Sequence, residues 1–182
     1  MNITFITGNQ HKADYAAKWL GVPVAHKKLS VDEIQSVNLQ EIVEHKAHQA
    51  FGQIGSPVLV EDVSLEMAGL NGLPGPFIKW FLEGLGPQRL ADLATNSGST
   101  KATVRIMFAL YDGTSMHIFD AAVTGTIVAS PRGSNSFGFS SIFAPDGAGG
   151  KTNAEMTDDQ AKPFNHRALA LQKFADFLQK ST

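Results

Sequence analysis

Apolar and polar positions occur in blocks that predict strands and helices along the first half of the chain. Residues 3–6 form a short apolar run of strand type, and residues 12–20 carry apolar side chains at helical spacing after a Thr-Gly-Asn turn. A second helix is predicted over residues 39–51. Residues 58–60 are continuously apolar, which is typical of a buried strand, so we expect Glu61-Asp62 at its carboxyl end.

The second half of the chain combines a stiff loop, paired strands and a last helix. Residues 70–76 are rich in glycine and proline and predict a loop, while Asp112-Gly113 is a hairpin signal. Asn165 suits the N-cap of a helix over residues 165–179. Hairpins together with crossover units predict an α/β fold with a mixed β-sheet. The remaining predicted elements are helices over residues 77–85 and 87–93, and strands over residues 101–111, 117–122 and 124–129 and within 143–147.

The composition narrows the classes of function. A chain of 182 residues fits one domain, or two small lobes around a shared core. A net charge of -2 without a basic block argues against binding a nucleic-acid backbone, and the lack of cysteine removes disulfides, thiolate zinc sites and thiol nucleophiles. The first residues lack the pattern of a signal peptide, and no stretch reaches the ~20 apolar residues of a membrane helix. We therefore expect a cytoplasmic protein without a membrane partner.

Residues 7–12, Thr-Gly-Asn-Gln-His-Lys, place a small-residue turn between the first strand and the first helix. Backbone N–H groups at a helix N-terminus attract phosphate, and Lys12 adds a positive charge one turn further on. The glycine spacing differs from that of a Walker loop. A strand, a turn and an exposed lysine also occur without any ligand, so both interpretations stay open.

Glu61 and Asp62 are the strongest candidates for chemistry. Carboxylates and phosphate oxygens form the usual shell of Mg²⁺, and a further carboxylate can take a proton from water. The two side chains point to opposite faces if the strand continues and can converge if it turns, and a solvated strand end is the alternative. Glu33 lies in a second acidic stretch. Residues 41–48 contain two glutamates and two histidines, but the interleaved Lys46 favours an ordinary surface helix over a metal site.

Three further motifs suit a flat, charged ligand. The loop rich in glycine and proline leads to Lys79 and Trp80 at the start of a helix, although a packing turn with the tryptophan in the core is the alternative. Phe137 and Phe139 flank a glycine and suit stacking on a nucleobase, although aromatics at this spacing are more often strand residues in a core. Residues 165–167, Asn-His-Arg, place a histidine and an arginine where they could hydrogen-bond to a base or phosphate.

Taken together and in this order, the motifs resemble the inosine triphosphate pyrophosphatase family, enzymes that remove non-standard purine nucleoside triphosphates. Each motif is weak alone, whereas their collinearity is specific. Maf-type pyrophosphatases are related in general architecture, but residues 72–80 fit them poorly. The matching pieces are Thr-Gly-Asn-x-x-Lys at residues 7–12, Glu-Ile-Gln at 33–35, Leu-Val-Glu-Asp at 59–62, and residues 72–81, 131–133, 137–138, 152–156 and 166–167.

The resemblance implies an elongated mixed β-sheet flanked by helices, with two lobes and a nucleotide cleft between them. It implies a single pyrophosphatase domain over residues 1–182, usually in a homodimer, that hydrolyses ITP, dITP or XTP to the monophosphate and pyrophosphate with Mg²⁺. Glu33 and Glu61 would support Mg²⁺, and Asp62 would activate water or share the metal. The implied catalytic residues are Asp62, Glu61 and Lys12. The implied substrate-binding residues are Thr7, Asn9, Lys12, Lys46 and Lys79 at the phosphates, Phe137 and Phe139 at the base, His166 and Arg167 at its edge, and Lys162.

The departures from the family pattern are concentrated at the base-reading motif. Residues 137–141 read Phe-Gly-Phe-Ser-Ser where the family usually has Phe-Gly-Trp-Asp-Pro. Asn165 replaces a serine, and the expected upstream lysine is shifted by one position, to Lys162. Two alternatives therefore stay open: the same reaction with an altered base preference, and a non-catalytic nucleotide-binding protein of the same fold. The retained carboxylates and lysines argue against the second alternative.

Overall fold

The structure is a computed structural model that describes residues 3–20, 25–134 and 137–180. Within these residues, strands and α-helices alternate along most of the chain. The strands are β1 (Thr4–Ile6), β2 (Ala25–Lys27), β3 (Val58–Met67), β4 (Pro74–Gly75), β5 (Lys101–Tyr111), β6 (Met116–Ile127) and β7 (Phe143–Pro145). The α-helices are α1 (Gln10–Leu20), α2 (Leu39–Ile54), α3 (Ile78–Asn96), α4 (Asp158–Ala161) and α5 (His166–Lys180).

All seven strands belong to one sheet, in the order β2-β1-β3-β5-β6-β7, with β4 paired to β3. β1 runs parallel to β2 and to β3, with Thr4 opposite Ala25 on one side and Val58 on the other. β4 is antiparallel to β3, and β7 is antiparallel to β6. The predicted mixed sheet flanked by helices is therefore confirmed. None of the helices described is both long and apolar enough to cross a membrane.

Contacts within the chain define two compact units. The first unit comprises Met1–Asp62, Ile106–Ala121 and Arg167–Thr182. Its largest core joins α1, α5 and the sheet through Phe5, Phe108 and Phe174, all almost completely buried. A smaller core lies under α2 and contains Val43, Val60 and their neighbours. Burial of this apolar surface fixes β1 and β3 in the sheet and sets the positions of the side chains that they carry.

The second unit comprises Val63–Arg105 and Ala122–His166. Its core packs α3 on the sheet through fully buried side chains, among them Leu65, Leu90 and Phe143. α3 is broken at Gly86, whose φ of 73° and ψ of 168° are not helical, and Pro87 begins the next helical stretch. The two predicted helices on either side of this glycine are therefore confirmed. The single domain over residues 1–182 and the cleft between lobes stay predictions.

The structure corrects three boundaries. β3 does not end before Glu61 but continues to Met67, because Leu65 and Met67 are also buried in the core of the second unit. β6 is one strand rather than two. At Gly125 within it, a Cβ would lie 2.3 Å from the carbonyl oxygen of Ala144, so the close approach of β7 requires glycine there. The predicted loop at residues 70–76 contains the short strand β4.

Candidate active site

The turn between β1 and α1 is held by hydrogen bonds of its own. The N–H of Asn9 donates to Thr7 Oγ1 at 3.1 Å, and the N–H of Lys12 donates to the carbonyl of Asn9 at 3.1 Å. The N–H of Thr7 donates to the carbonyl of Lys27, the last residue of β2. These bonds fix the start of α1, and the side chain of Lys12 leaves its first turn toward β3.

Glu61 is buried in β3 and is held by two cations. Arg167 Nε donates to Glu61 Oε2 at 2.8 Å and Arg167 Nη2 donates to Oε1 at 3.2 Å, while Lys12 Nζ pairs with Oε1. Burial alone would raise the pKa of Glu61, but the charges and hydrogen bonds of Arg167 and Lys12 lower it to about 2. The pKa of Arg167, which burial would lower, is raised by Glu61. Glu61 is therefore a permanent carboxylate that anchors both cations.

Asp62, the next residue of β3, belongs to a second ion-pair group. Lys46 Nζ, from the buried face of α2, lies 2.7 Å from Asp62 Oδ2 and 3.3 Å from Glu33 Oε1. The pKa of Lys46, which burial would lower, is raised by the charges and hydrogen bonds of Asp62 and Glu33. The Glu33 side chain is 54% exposed, whereas that of Lys46 is only 11% exposed. One ammonium group thus draws two carboxylates together at the surface of the first unit.

The pairing of Glu61 and Asp62 with different cations follows from strand geometry. Successive side chains of a strand point to opposite faces of the sheet, and β3 continues through both residues. Of the two arrangements that the sequence left open, the structure has the one in which the carboxylates diverge. Glu61 reaches α1 and α5, and Asp62 reaches α2.

The three predicted metal ligands are not gathered at one point. In the part of the chain that the structure describes, no three His, Asp or Glu side chains form a group that could hold a metal ion. Glu61 is turned to Lys12 and Arg167, while Glu33 and Asp62 meet at Lys46. Mg²⁺ in proteins commonly takes one or two carboxylates and completes its shell with water and substrate phosphate. Asp62 and Glu33 fit that donor set, because both already face the same cation and neither is fully buried.

The aromatic residues predicted for base binding lie in a turn of the second unit, which we call the aromatic loop (residues 137–141). Phe137 is 55% exposed, and its N–H donates to Ser140 Oγ at 2.8 Å. The ring of Phe139 is stacked against His166, with 6.4 Å between ring centroids and 29° between planes. Neither phenylalanine lies in a strand, so that part of the alternative is wrong, whereas Phe139 does pack against the core of the second unit. The structure thus brings together Phe139 and His166, two of the residues predicted to contact the base.

The remaining predicted residues are placed at helix ends. Lys79, in the first turn of α3, is exposed, and its Nζ lies 4.8 Å from the ring centroid of Trp80. Trp80 is 60% exposed, so the alternative that buried it in the core is wrong. Lys162 is exposed in the short 3₁₀ helix Lys162–Phe164, and Asn165 directly precedes α5. The predicted phosphate contact of Lys79 and the predicted substrate contact of Lys162 stay predictions.

The sequence interpretation missed the partner of Arg167. It assigned this arginine to the edge of the base, whereas in the structure its guanidinium binds Glu61 in a bidentate pair. Burial of Glu61 in an apolar strand was the available signal, because a buried carboxylate needs a cation or several donors. The sequence contains many basic residues, so the signal predicts that a partner exists but does not select Arg167.

Fold and site together define a mixed α/β protein in which lysine, arginine and carboxylate side chains are gathered around one central strand. The sequence profile of the Ham1 family matches residues 3–177, and the chain belongs to this family. The chain is 38% identical over 182 residues to the inosine triphosphate pyrophosphatase of Schizosaccharomyces pombe, covering 98% of this chain and 95% of that protein. It is 35% identical over 184 residues to the dITP/XTP pyrophosphatase of Thermococcus kodakarensis, covering 100% and 99%.

A solved structure agrees with the fold. The Staphylococcus aureus Ham1 protein superposes with a TM-score of 0.86, covering 99% of this chain and 100% of that chain. At 21% identity this likeness shows the fold alone. The resemblance inferred from the motifs is thus confirmed at the level of the family.

Proposed function

We propose that this protein hydrolyses non-standard purine nucleoside triphosphates, ITP, dITP and XTP, to the nucleoside monophosphate and pyrophosphate. The observation that carries the proposal is the pair of ion-pair groups on β3, Glu61 with Lys12 and Arg167, and Asp62 with Lys46 and Glu33. Full-length relatives named for this activity support it. The resemblance also leads us to propose a homodimer in the cytoplasm.

Charge compensation is the first requirement of this reaction. A triphosphate brings about four negative charges, which positive groups must offset before an electron-rich water oxygen can approach phosphorus. Lys12 and Lys46 supply two ammonium groups, and the raised pKa of Lys46 keeps its charge at neutral pH. Thr7 and Asn9, in the turn before α1, would contact phosphate oxygens at the positive end of that helix. Lys79 and Lys162 are further phosphate candidates.

Asp62 would act as the general base. Its carboxylate is partly exposed and lies against Lys46, so a water molecule and the substrate can reach it. Asp62 would take a proton from the attacking water, whose oxygen bonds to the α-phosphorus as the bond from that phosphorus to the bridging oxygen breaks, and pyrophosphate leaves. Glu61, which Lys12 and Arg167 already neutralise, would orient Lys12 rather than accept the proton.

Mg²⁺ is part of the proposal, with Asp62 and Glu33 as its protein ligands. When bound, the ion would offset charge on the phosphate oxygens and polarise them. Glu61, which the family resemblance implied as a third direct ligand, has less support in that role, because its two oxygens already accept from Arg167 and pair with Lys12. Glu61 would support the metal site indirectly through the geometry of β3.

The base would be received by Phe137, Phe139 and His166. Flat rings stack on a purine without selecting it strongly, so the hydrogen-bonding groups around them determine the preference. Ser140 already accepts a hydrogen bond from the backbone of Phe137. The serines at positions 140 and 141 therefore favour one second candidate, the same reaction with an altered base preference.

A substrate panel tests the proposal. The purified protein is incubated with ITP, dITP, XTP, ATP and GTP, with and without Mg²⁺, and the products are separated by anion-exchange chromatography. We expect monophosphate and pyrophosphate, fastest from the inosine and xanthosine nucleotides and only with Mg²⁺. Equal rates on all five nucleotides would contradict a selective base site, and binding of nucleotide without turnover would favour the non-catalytic alternative.

A further inference from the structure

Residues 28–38, which carry Glu33, connect β2 to α2 and form neither helix nor strand. A segment of this kind has few backbone hydrogen bonds to fix it, so its position depends on side chains from neighbouring elements. Glu33 is half exposed and meets Lys46 at 3.3 Å. The precision with which its carboxylate faces Asp62 therefore has to come from other contacts of the segment.

α2 supplies three side chains that contact this segment. Lys46, Gln49 and Gln53 are spaced at i, i+3 and i+7 and lie along one face of the helix. Lys46 pairs with Glu33, and Gln53 Nε2 donates to the carbonyl of Ser30 at 2.9 Å. The segment is thus attached to α2 on either side of residue 32.

Between these two contacts, Gln49 makes the one with the most hydrogen bonds to the segment. Gln49 Oε1 accepts from the N–H of Asp32 at 2.8 Å, and Gln49 Nε2 donates to Asp32 Oδ2 at 3.3 Å. Gln49 Nε2 also lies 3.0 Å from Nε2 of His45, which accepts when the imidazole proton is on Nδ1. With that tautomer, both amide hydrogens and the amide oxygen of Gln49 are used; the two hydrogen bonds to Asp32 do not depend on it.

Asp32 and Glu33 are adjacent carboxylates, and either could meet Lys46 if the segment shifted by one residue. Because the two residues share one planar peptide unit, holding the backbone and side chain of one of them restricts where the other can lie. Gln49 binds the backbone and the side chain of Asp32 together. Only Glu33 is then left to face Lys46 and Asp62.

We propose that Gln49 is a positioning residue, which holds Asp32 and thereby places the Glu33 carboxylate beside Lys46 and Asp62. The inference rests on the proposed function for the role of Glu33 toward Mg²⁺. Gln40 provides a matched control, because its side chain donates to Glu44 within α2 at 2.7 Å. Gln49→Leu and Gln40→Leu thus each remove a glutamine amide from the same helix.

Hydrogen–deuterium exchange tests the placement without reference to activity. In Gln49→Leu we expect the backbone amides of residues 29–36 to exchange about fivefold faster, the ratio produced by loss of one hydrogen bond of typical net strength. Gln40→Leu is expected to exchange like the unmodified protein. Unchanged exchange in Gln49→Leu, or the same increase in both variants, would overturn the proposal.

The dependence of turnover on Mg²⁺ gives a second measurement. Gln49→Leu is expected to raise the half-activating Mg²⁺ concentration about fivefold, with kcat at saturating Mg²⁺ within about twofold of the unmodified enzyme. A general loss of structure would lower kcat and the melting temperature instead. A lower kcat with an unchanged Mg²⁺ requirement contradicts the positioning role.

A donor–acceptor exchange completes the test. Gln49→Glu places a carboxylate against Asp32 and is expected to raise the Mg²⁺ requirement at least as much as Gln49→Leu. Adding Asp32→Asn supplies a new donor to the introduced carboxylate and is expected to restore the requirement to within about twofold. Absence of this rescue overturns the proposal.

If the unmodified protein releases no pyrophosphate at all, the proposed function fails, while the hydrogen–deuterium exchange data still decide whether Gln49 holds the segment.

Discussion

Glu61 in the first unit is 4% exposed and bound by two cations, whereas Phe137 in the second unit is 55% exposed and held through a backbone hydrogen bond to Ser140. The group around Glu61 places one fully buried carboxylate between two partly buried cations, so loss of the carboxylate removes a counter-charge from both of them. The aromatic loop has one exposed ring, Phe137, a second ring, Phe139, that packs partly on the core, and two serine hydroxyls. The residues proposed to bind the phosphates are thus constrained by their own ion pairs, while those proposed to bind the base are less constrained and differ from the family pattern.

The largest effect is expected on kcat, from a change in the ion-pair groups on β3. Asp62→Asn keeps the size of the side chain but removes the proposed general base, so kcat is expected to fall by about 10³-fold. The rate of pyrophosphate release from dITP measures this loss. Asp176→Asn, at an exposed carboxylate that accepts from Gln172 on α5, is the matched control and should keep full activity. A turnover within tenfold of normal would show that Asp62 is not the base.

The next largest effect is expected in the pH dependence of the unfolding free energy, to which Glu61 in the first unit contributes. The folded-state pKa of Glu61, about 2, lies below its ordinary value of 4.5. Its contribution is therefore complete above pH 4.5 and is lost as the pH falls toward 2, and it amounts to about 3 kcal/mol of unfolding free energy. Urea unfolding at a series of pH values measures it.

Glu61→Gln provides the control for that measurement. Other carboxylates titrate in both proteins, so the difference between the two stability curves isolates Glu61. At neutral pH the variant is expected to be less stable by about 3 kcal/mol, because Arg167 and Lys12 lose a buried counter-charge. Parallel curves for the two proteins would show that the ion pairs contribute little.

A smaller effect is expected in the aromatic loop. Ser140→Ala removes the acceptor for the N–H of Phe137, which at this partly exposed position costs about 1 kcal/mol of ordering. KM for ITP is expected to rise about fivefold with kcat nearly unchanged, since the loop would bind the base and not the reacting bond. Steady-state kinetics on ITP check this, and an equal fall in kcat would place Ser140 in the chemical step.

The smallest effect is expected at Ser141. Its hydroxyl is buried and has no hydrogen-bond partner among the residues that the structure describes. Ser141→Ala therefore removes a desolvated polar atom without breaking a bond, and the unfolding free energy is expected to stay equal or to rise by up to about 1 kcal/mol. Thermal unfolding checks this prediction. A destabilisation of similar size would indicate that the hydroxyl has a partner in solution.

Much of the fold could be predicted from local patterns. The apolar run at residues 58–60 predicts β3, and Gly86-Pro87 predicts the break in α3. The pattern fails at Glu61, where a charged residue is the usual sign of a strand end. The strand continues because Glu61 finds its cations, and the partner Arg167 lies 106 residues further along the chain. No local window contains both residues.

For the candidate site, the sequence indicated which residues take part but not how they pair. Residue types and motif order indicated Lys12, Lys46, Asp62 and Glu33, and the structure brings them into two neighbouring ion-pair groups on β3. Which cation pairs with which carboxylate could not be predicted, because it depends on the faces of a strand whose length was misjudged. The hydrogen bond between Gln49 and Asp32 could not be predicted either, since Asp32 lies on a segment whose sequence has neither helical nor strand periodicity.

We propose above all that the ion-pair groups on β3 cleave the bond between the α- and β-phosphates. Phosphorus-31 NMR of dITP incubated with the protein and Mg²⁺ tests it most directly, with Asp62→Asn as the inactive comparison. The account predicts that the three triphosphate resonances are replaced by those of pyrophosphate and a nucleoside monophosphate, and that this change is absent in the variant. Appearance of orthophosphate and a nucleoside diphosphate would contradict it.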